Sequence, residues 1–243
     1  MVDAGLGIEV WAQRHAEEPE LSLDDAGRLR EICVTAPFVT MHTAYSQWRF
    51  DPSALREEIE RAQRVGASAL VLHIASLGIR KDGTGFDANE TRGLAAYAAE
   101  RGVRLLLENG RDSHRALDRV LDELGDDPDR TNLGICIDIG HAHASTDLPG
   151  DPVLEHLRRY RGALRHLHLH DNNGSADDHR GPGDGTIDWT ALLKALKHAQ
   201  RRLPAVLEVH AKGDEALGAA LAAECHLRMV AASLDPLPHV RCR

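Results

Sequence analysis

Residues His166–Trp189 read HLHLHDNNGSADDHRGPGDGTIDW. His166, His168 and His170 alternate with Leu167 and Leu169, so on a strand the three imidazoles project to one side. Asp171, Asp177 and His179 follow, then the Gly-rich turn Gly181-Pro182-Gly183-Asp184-Gly185. Asp188 then precedes a helical pattern over Trp189–Arg201, with Pro204 beyond it. The segment is one strand–loop–helix unit with its chemistry at the strand's C-terminal end. Imidazoles and carboxylates packed this densely form the ligand set of a divalent metal ion.

Outward from this unit the same design recurs. Short apolar runs rich in Val, Ile and Leu occupy Gly7–Trp11, Phe38–His42, Ala69–His73, Val103–Glu108, Leu133–Asp138, Leu164–His170 and Ala205–Val209. Nearly continuous apolarity marks parallel strands buried on both faces. Helical patterns with caps lie between them. Ser22-Leu-Asp-Asp25 is a capping-box-like start, and Asp51-Pro52-Ser53 opens a helix over Ala54–Val65 that Gly66 closes. Alternating strands and helices mean a parallel α/β sheet.

Two architectures compete for such a sheet. The first strand is not followed by the G-x-G-x-x-G fingerprint of a doubly wound dinucleotide fold. Polar residues end nearly every strand instead: His42, His73, Glu108, Asp138, His168 and Glu208. In a (β/α) barrel these ends converge on one mouth, whereas an open sheet would spread them along an edge. The expected fold is therefore a TIM-type (β/α) barrel, residues 1–243 forming a single domain. Seven strand units are recognisable rather than eight, and the first β/α unit is the missing one. The tail Pro236–Arg243, or a neighbouring subunit in a homo-oligomer, is available to cover the gap.

Composition agrees with a soluble enzyme-sized chain. It has 243 residues, a hydrophobic fraction of 42% and a net charge of −9, which argues against a broad basic nucleic-acid surface. No apolar run is long enough to span a membrane, and the N-terminus lacks a signal-peptide layout. Cys33, Cys136, Cys225 and Cys242 are scattered, as in a reducing cytoplasm, the expected compartment.

Nine residues at or just after the strand ends are of ligand type: His42, His73, Glu108, Asp138, His141, His168, Asp177, His179 and Glu208. One ion needs about four protein ligands, so nine suit two or three ions with bridging carboxylates. Within the HLHLH strand, His168 is placed at the mouth, His166 deeper and His170 at or past the rim, with His170 as the alternative ligand. His143, His166 and His210 read as packing or supporting residues. His114, His156, His198 and His226 fall in helical stretches and read as solvated.

The pattern H-x-x-D-N-x-G-x-x-D-x-H-x-x-x-G-x-G from His168, with the strand-end residues, resembles the xylose isomerase-like TIM-barrel superfamily. That group includes sugar isomerases and epimerases and the endonuclease IV type of abasic-site endonuclease. The resemblance implies one of two sites. An isomerase-type site would hold one Mn²⁺, Mg²⁺ or Co²⁺ on Glu108, Asp138, His168 and Glu208, with Glu108 and Glu208 shuttling a substrate proton. An endonuclease IV-type site would hold three zinc ions: one on His42, His73 and Glu108, a second on Glu108, Asp138, His168 and Glu208, a third on His141, Asp177 and His179. Three zinc ions outweigh the four carboxylates by two charges and would attract a phosphate despite the acidic chain.

The favoured expectation is a multinuclear, zinc-dependent phosphoester hydrolase acting on a sugar-phosphate or abasic-site-like substrate, attack coming from activated water with Glu108 and Glu208 as the catalytic carboxylates. The alternative is a mononuclear sugar or sugar-phosphate isomerase or epimerase. A catalytically silent sugar- or metal-binding barrel is the third reading. Candidate substrate-binding residues are Tyr45, Trp48 and Arg49 after the second strand, and Arg80 and Lys81 in the polar loop Leu77–Glu90.

Overall fold

A computed structural model describes residues 7–13, 19–34, 36–44, 50–198, 203–210, 222–228 and 230–231. Among them, seven parallel strands pair in chain order: β1 (Ile8–Trp11), β2 (Val39–His42), β3 (Ala69–His73), β4 (Arg104–Glu108), β5 (Leu133–Asp138), β6 (Leu164–Leu169) and β7 (Ala205–Leu207). Eight α-helices intervene: α1 (Leu23–Cys33), α2 (Pro52–Val65), α3 (Ala88–Ala99), α4 (His114–Leu124), α5 (Pro128–Thr131), α6 (Ile139–His143), α7 (Pro152–Arg159) and α8 (Trp189–His198), with a short 3-10 helix, Ile74–Leu77, after β3. The strands match the apolar runs of the sequence, with β7 ending before Val209 and β6 before His170.

The helix ends follow the capping residues. Ser22 Oγ accepts the Asp25 N–H at the start of α1. Asp51 accepts the Ser53 and Ala54 N–H groups at the start of α2, which Gly66 closes with φ +88°. Glycine adopts that left-handed geometry without the steric cost of a β-carbon.

The sheet curls into a nearly closed barrel. Glu9 on β1 lies 3.2 Å from His168 on β6, although the paired order puts four strands between them. Two layers of apolar packing result. Ala69, Val71, Leu106 and Cys136 form a small buried cluster lining the inside. A much larger cluster, including Met41, Leu70, Leu105, Leu107, Ile135, Leu167 and helix residues such as Leu55, Ile59, Leu94 and Leu117, lies between strands and helices. Alternation along each strand separates the two layers and aims β2 to β6 end residues into the mouth.

Between β1 and β7 no pairing exists among the described residues. The tail Pro236–Arg243, expected as one means of covering this gap, lies outside the described residues. No described helix is long and apolar enough to cross a membrane.

Candidate metal centre

Register sets the heights of the mouth residues. His73 pairs with Glu108 across β3 and β4, and Asp138 with His168 across β5 and β6. Barrel curvature then turns these neighbours toward a common centre. Four groups have ligand atoms within 4.8 Å of one another: His42, His73 and Glu108; Glu108, Asp138, His168 and Glu208; His141, His170, Asp177 and His179; and Cys136, His166 and His168. The first two match the expected ligand sets. The third contains the expected set with His170 added.

Glu108 joins the groups. Its Oε2 lies 3.0 Å from His42 Nε2 and 3.3 Å from His73 Nδ1. Its Oε1 lies 3.4 Å from His141 Nδ1 and 3.5 Å from His168 Nδ1. His168 Nδ1 is also 3.1 Å from Glu208 Oε2 and 3.9 Å from Asp138 Oδ2. In the third group, Asp177 Oδ2 lies 3.0 Å from His141 Nε2 and 3.2 Å from His179 Nε2.

Most of these imidazoles are oriented through their second nitrogen. Nδ1 of His42 donates to the Thr43 carbonyl at 3.1 Å, that of His141 to Asn109 at 3.0 Å, and that of His179 to Glu208 at 2.8 Å. This assignment leaves each Nε2 as the nitrogen facing a carboxylate. Fixing the tautomer in this way is how proteins aim histidine at a metal. His179 also holds a left-handed φ of +48°, which costs a non-glycine residue roughly 1 kcal/mol or more. Its backbone carbonyl accepts the His210 N–H, and the two rings stack at 3.9 Å.

Protonation follows from the same contacts. Burial pushes the Glu108 carboxyl up, but His73, His141 and His168 outweigh it and hold it well below its usual value. Asp138 and Asp177 are likewise held low against their burial, by His141 with His170 and by His141 with His179. Burial opposes charge on His179, yet Asp177 and Glu208 raise it to about 9. His73 is lowered by burial despite Glu108.

Four supporting residues were not read as such from the sequence. Glu9 sits inside the barrel against His168. Asn109 clamps Asp138: its side chain accepts the Asp138 N–H at 2.8 Å and donates to the Asp138 carbonyl at 3.1 Å. Asp171 organises the Gly-rich turn, accepting from Asn172 N, Gly183 N, Ile187 N and the Trp189 indole N–H. His170, expected at the rim, is fully buried, because its strand's terminal loop folds back over the mouth and closes with an Asp171–Arg180 bridge. Its Nε2 donates to Asp138 at 2.9 Å, and its ring stacks on His179 at 4.0 Å. An ionisable residue inside an apolar run, as in Ile8-Glu9-Val10, is the signal that marks Glu9.

Two histidines expected to be solvated are buried instead. His156 is fully buried on α7 and donates Nδ1–H to the Pro152 carbonyl at 2.7 Å. His114 packs at the start of α4, 2.6 Å from Asp147. Both are buried against the body of the protein, with Pro152 and Asp147 as their polar neighbours. His198 is exposed and His226 half-buried. His143 bonds Thr186 at 2.9 Å, and His166 lies 3.6 Å from Glu9.

Tyr45, Trp48 and Arg49 lie outside the described residues. Arg80 and Lys81 are exposed, and Arg80 reaches Thr84 in its own loop at 3.4 Å. Lys81 lies near Asp112: burial raises that carboxyl, while the Thr146 N–H, Arg111 and Lys81 together hold it below its ordinary value.

Comparisons with known proteins bear on the family and the fold. The chain is 31% identical over 180 residues to the uncharacterized protein MJ1311 of Methanocaldococcus jannaschii, covering 69% of this chain and 60% of that protein's length. It is 31% identical over 208 residues to a probable endonuclease 4 of Geobacillus kaustophilus, covering 77% of this chain and 68% of the relative. A crystal structure of a D-tagatose 3-epimerase-like protein superposes with a TM-score of 0.70 at 20% identity, covering 93% of this chain and 90% of that one, which shows the shared fold. The family model described as xylose isomerase-like TIM barrel matches residues 5–229, and the chain belongs to that family.

Proposed function

We propose that the protein is a divalent-metal-dependent phosphoester hydrolase, its nine mouth residues holding up to three zinc ions. The substrate class is a sugar phosphate or an abasic-site-like sugar in DNA. The observation that carries this reading is the split of Glu108: one oxygen faces His42 and His73, the other faces His168 and His141. A carboxylate so placed would serve two cations, and the His141–Asp177–His179 group would offer a third position beside them.

The donor set fits such ions. His168 Nδ1 and Glu208 Oε2 are buried and face each other at 3.1 Å, yet neither completes a hydrogen bond. Lone pairs that converge without a shared proton suit a common cation. Nitrogen and carboxylate ligands in this mixture suit zinc. Bound divalent ions supply Lewis acidity at phosphate oxygens and acidify water. The chain's own part is to fix the ligand tautomers through Thr43, Asn109 and Glu208 carbonyls and to keep Glu108, Asp138 and Asp177 ionised.

A second reading rests on the Glu108–Asp138–His168–Glu208 group, which is complete by itself. With one ion there, Glu108 and Glu208 would serve proton transfer between neighbouring carbons of a sugar.

Elemental analysis of the purified protein, with and without His179→Ala, separates the two. About three zinc per chain, falling toward two in the variant together with loss of phosphodiester turnover, supports the hydrolase. One ion per chain, unchanged in His179→Ala, overturns it. Glu208→Gln should then stop exchange of a substrate carbon-bound proton with solvent if the isomerase reading holds.

A further inference from the structure

Three of the site's imidazoles are held through Nδ1 by backbone carbonyls, leaving Nε2 toward the ligand carboxylates. His168 is turned the other way. Its Nδ1 faces Glu208 and Glu108, and its Nε2 points down into the barrel. The acceptor is a side chain: Glu9 Oε2, 3.2 Å from His168 Nε2. Glu9 is itself fixed, since the same oxygen accepts the Thr40 hydroxyl at 2.9 Å and lies 3.6 Å from His166 Nε2. The carboxylate is almost wholly buried, 4% exposed, so it carries an ionisable group into the interior for an interior partner.

The geometry points to Glu9 as a positioning residue for the metal centre: it accepts the Nε2 proton of His168 and so presents Nδ1 as the ligand nitrogen. This rests on the metal-site reading of His168. Glu9 touches no substrate. Its role is to select one of two imidazole tautomers, raise the ligand's basicity and hold the ring plane. Losing an orienting partner of this kind weakens metal binding by about 10- to 100-fold.

The physical logic also explains why a carboxylate is placed in β1, the edge strand. Curling of the barrel brings β1 across from β6 without backbone pairing between the two strands. The Glu9–His168–His166 contacts are therefore a side-chain tie across the interior, in a region where the ladder supplies none.

Zinc retention against a competing chelator, measured on Glu9→Ala, Glu9→Gln and His168→Ala, tests the inference. Glu9→Ala should lose zinc about 10- to 100-fold more readily than the parent chain, and Glu9→Gln, which keeps an acceptor oxygen, should stay within a few-fold. Equal retention in Glu9→Ala and the parent overturns the role of Glu9. If His168→Ala also retains all its zinc, the metal-site reading falls with it; if His168→Ala loses zinc while Glu9→Ala does not, only Glu9 is acquitted. Nitrogen-15 NMR of the zinc-loaded parent, with His168 assigned by its loss in His168→Ala, decides the matter even if Glu9→Ala does not fold. A protonated Nε2 with a metal-bound Nδ1 supports the inference, and a metal-bound Nε2 overturns it.

Discussion

Gly140 leaves the space that the His170 ring fills: a β-carbon on Gly140 would lie 1.8 Å from His170 Cε1. That distance is far inside contact, and His170 cannot retreat because its Nε2 is tied to Asp138 and its ring is stacked on His179. Gly140→Ala should therefore destabilise the protein by about 1–3 kcal/mol or more, the range for overpacked cores. Combining it with His170→Ala should recover part of that loss, since the clash disappears. Urea unfolding of the two single variants and the double variant checks this. Gly140→Ala as stable as the parent would count against the packing described.

Asp171 is a second structural anchor. Its carboxylate accepts four N–H groups, three from the backbone and one from Trp189, and it is fully buried. Asp171→Ala strands those donors, each worth about 1–3 kcal/mol when left unsatisfied. The expected loss is at least 3 kcal/mol by chemical denaturation, and the loop carrying Asp177 and His179 should become cleavable by protease. Native-like protease resistance in a destabilised variant would show that the loop is held by other contacts.

Glu58 on α2 predicts a pH effect. Burial pushes its carboxyl from 4.5 up to about 7, although Arg61 and the Ala44 N–H favour its ionised form. Arg61 Nη1 is 3.3 Å away but is shared with Glu20. Because the folded-state value lies above the unfolded one, the contribution is present below pH 4.5 and is lost as pH rises through 7. A shift of this size corresponds to about 3 kcal/mol. The parent's stability should fall between about pH 4.5 and 7.5 and level off above it, and Glu58→Gln should flatten that slope. An equal slope in both proteins would remove Glu58 as the cause.

Metal removal gives a fourth expectation. The mouth gathers Glu108, Asp138, Asp177 and Glu208 within one small volume, and cations bound only by the folded state stabilise it. At a hundredfold excess of zinc over its Kd the gain is about 2.7 kcal/mol for one site, or about 5–10 °C in Tm for a chain of this length. Chelation should lower Tm by that much and zinc should restore it. An unchanged Tm, with metal removal verified by elemental analysis, would contradict a metal that is bound by the folded state alone.

The barrel was legible in the sequence because its signals are local. Unbroken apolar runs such as Leu133–Asp138 and Ala69–His73 became strands with those limits, and caps at Ser22, Asp51 and Gly66 set helix ends. Strand-end polarity also singled out the residues that converge. What failed was the reading of side chains whose environment is made by distant segments. His156 and His114 look solvated on a helical pattern, but both are buried against the body of the protein.

The sequence by itself therefore determined the order of strands and helices and the identity of the residues at the mouth, because periodicity and capping act over a few residues. Only the tertiary structure decided how those residues are shared. Curvature brings Glu9 to His168 across 159 positions of chain, divides the two oxygens of Glu108 between two groups, and folds the loop after β6 back so that His170 is buried beside Asp138. Hydrogen-bond partners and charge neighbours of that kind arise from contacts between elements far apart in the chain, and no local pattern encodes them.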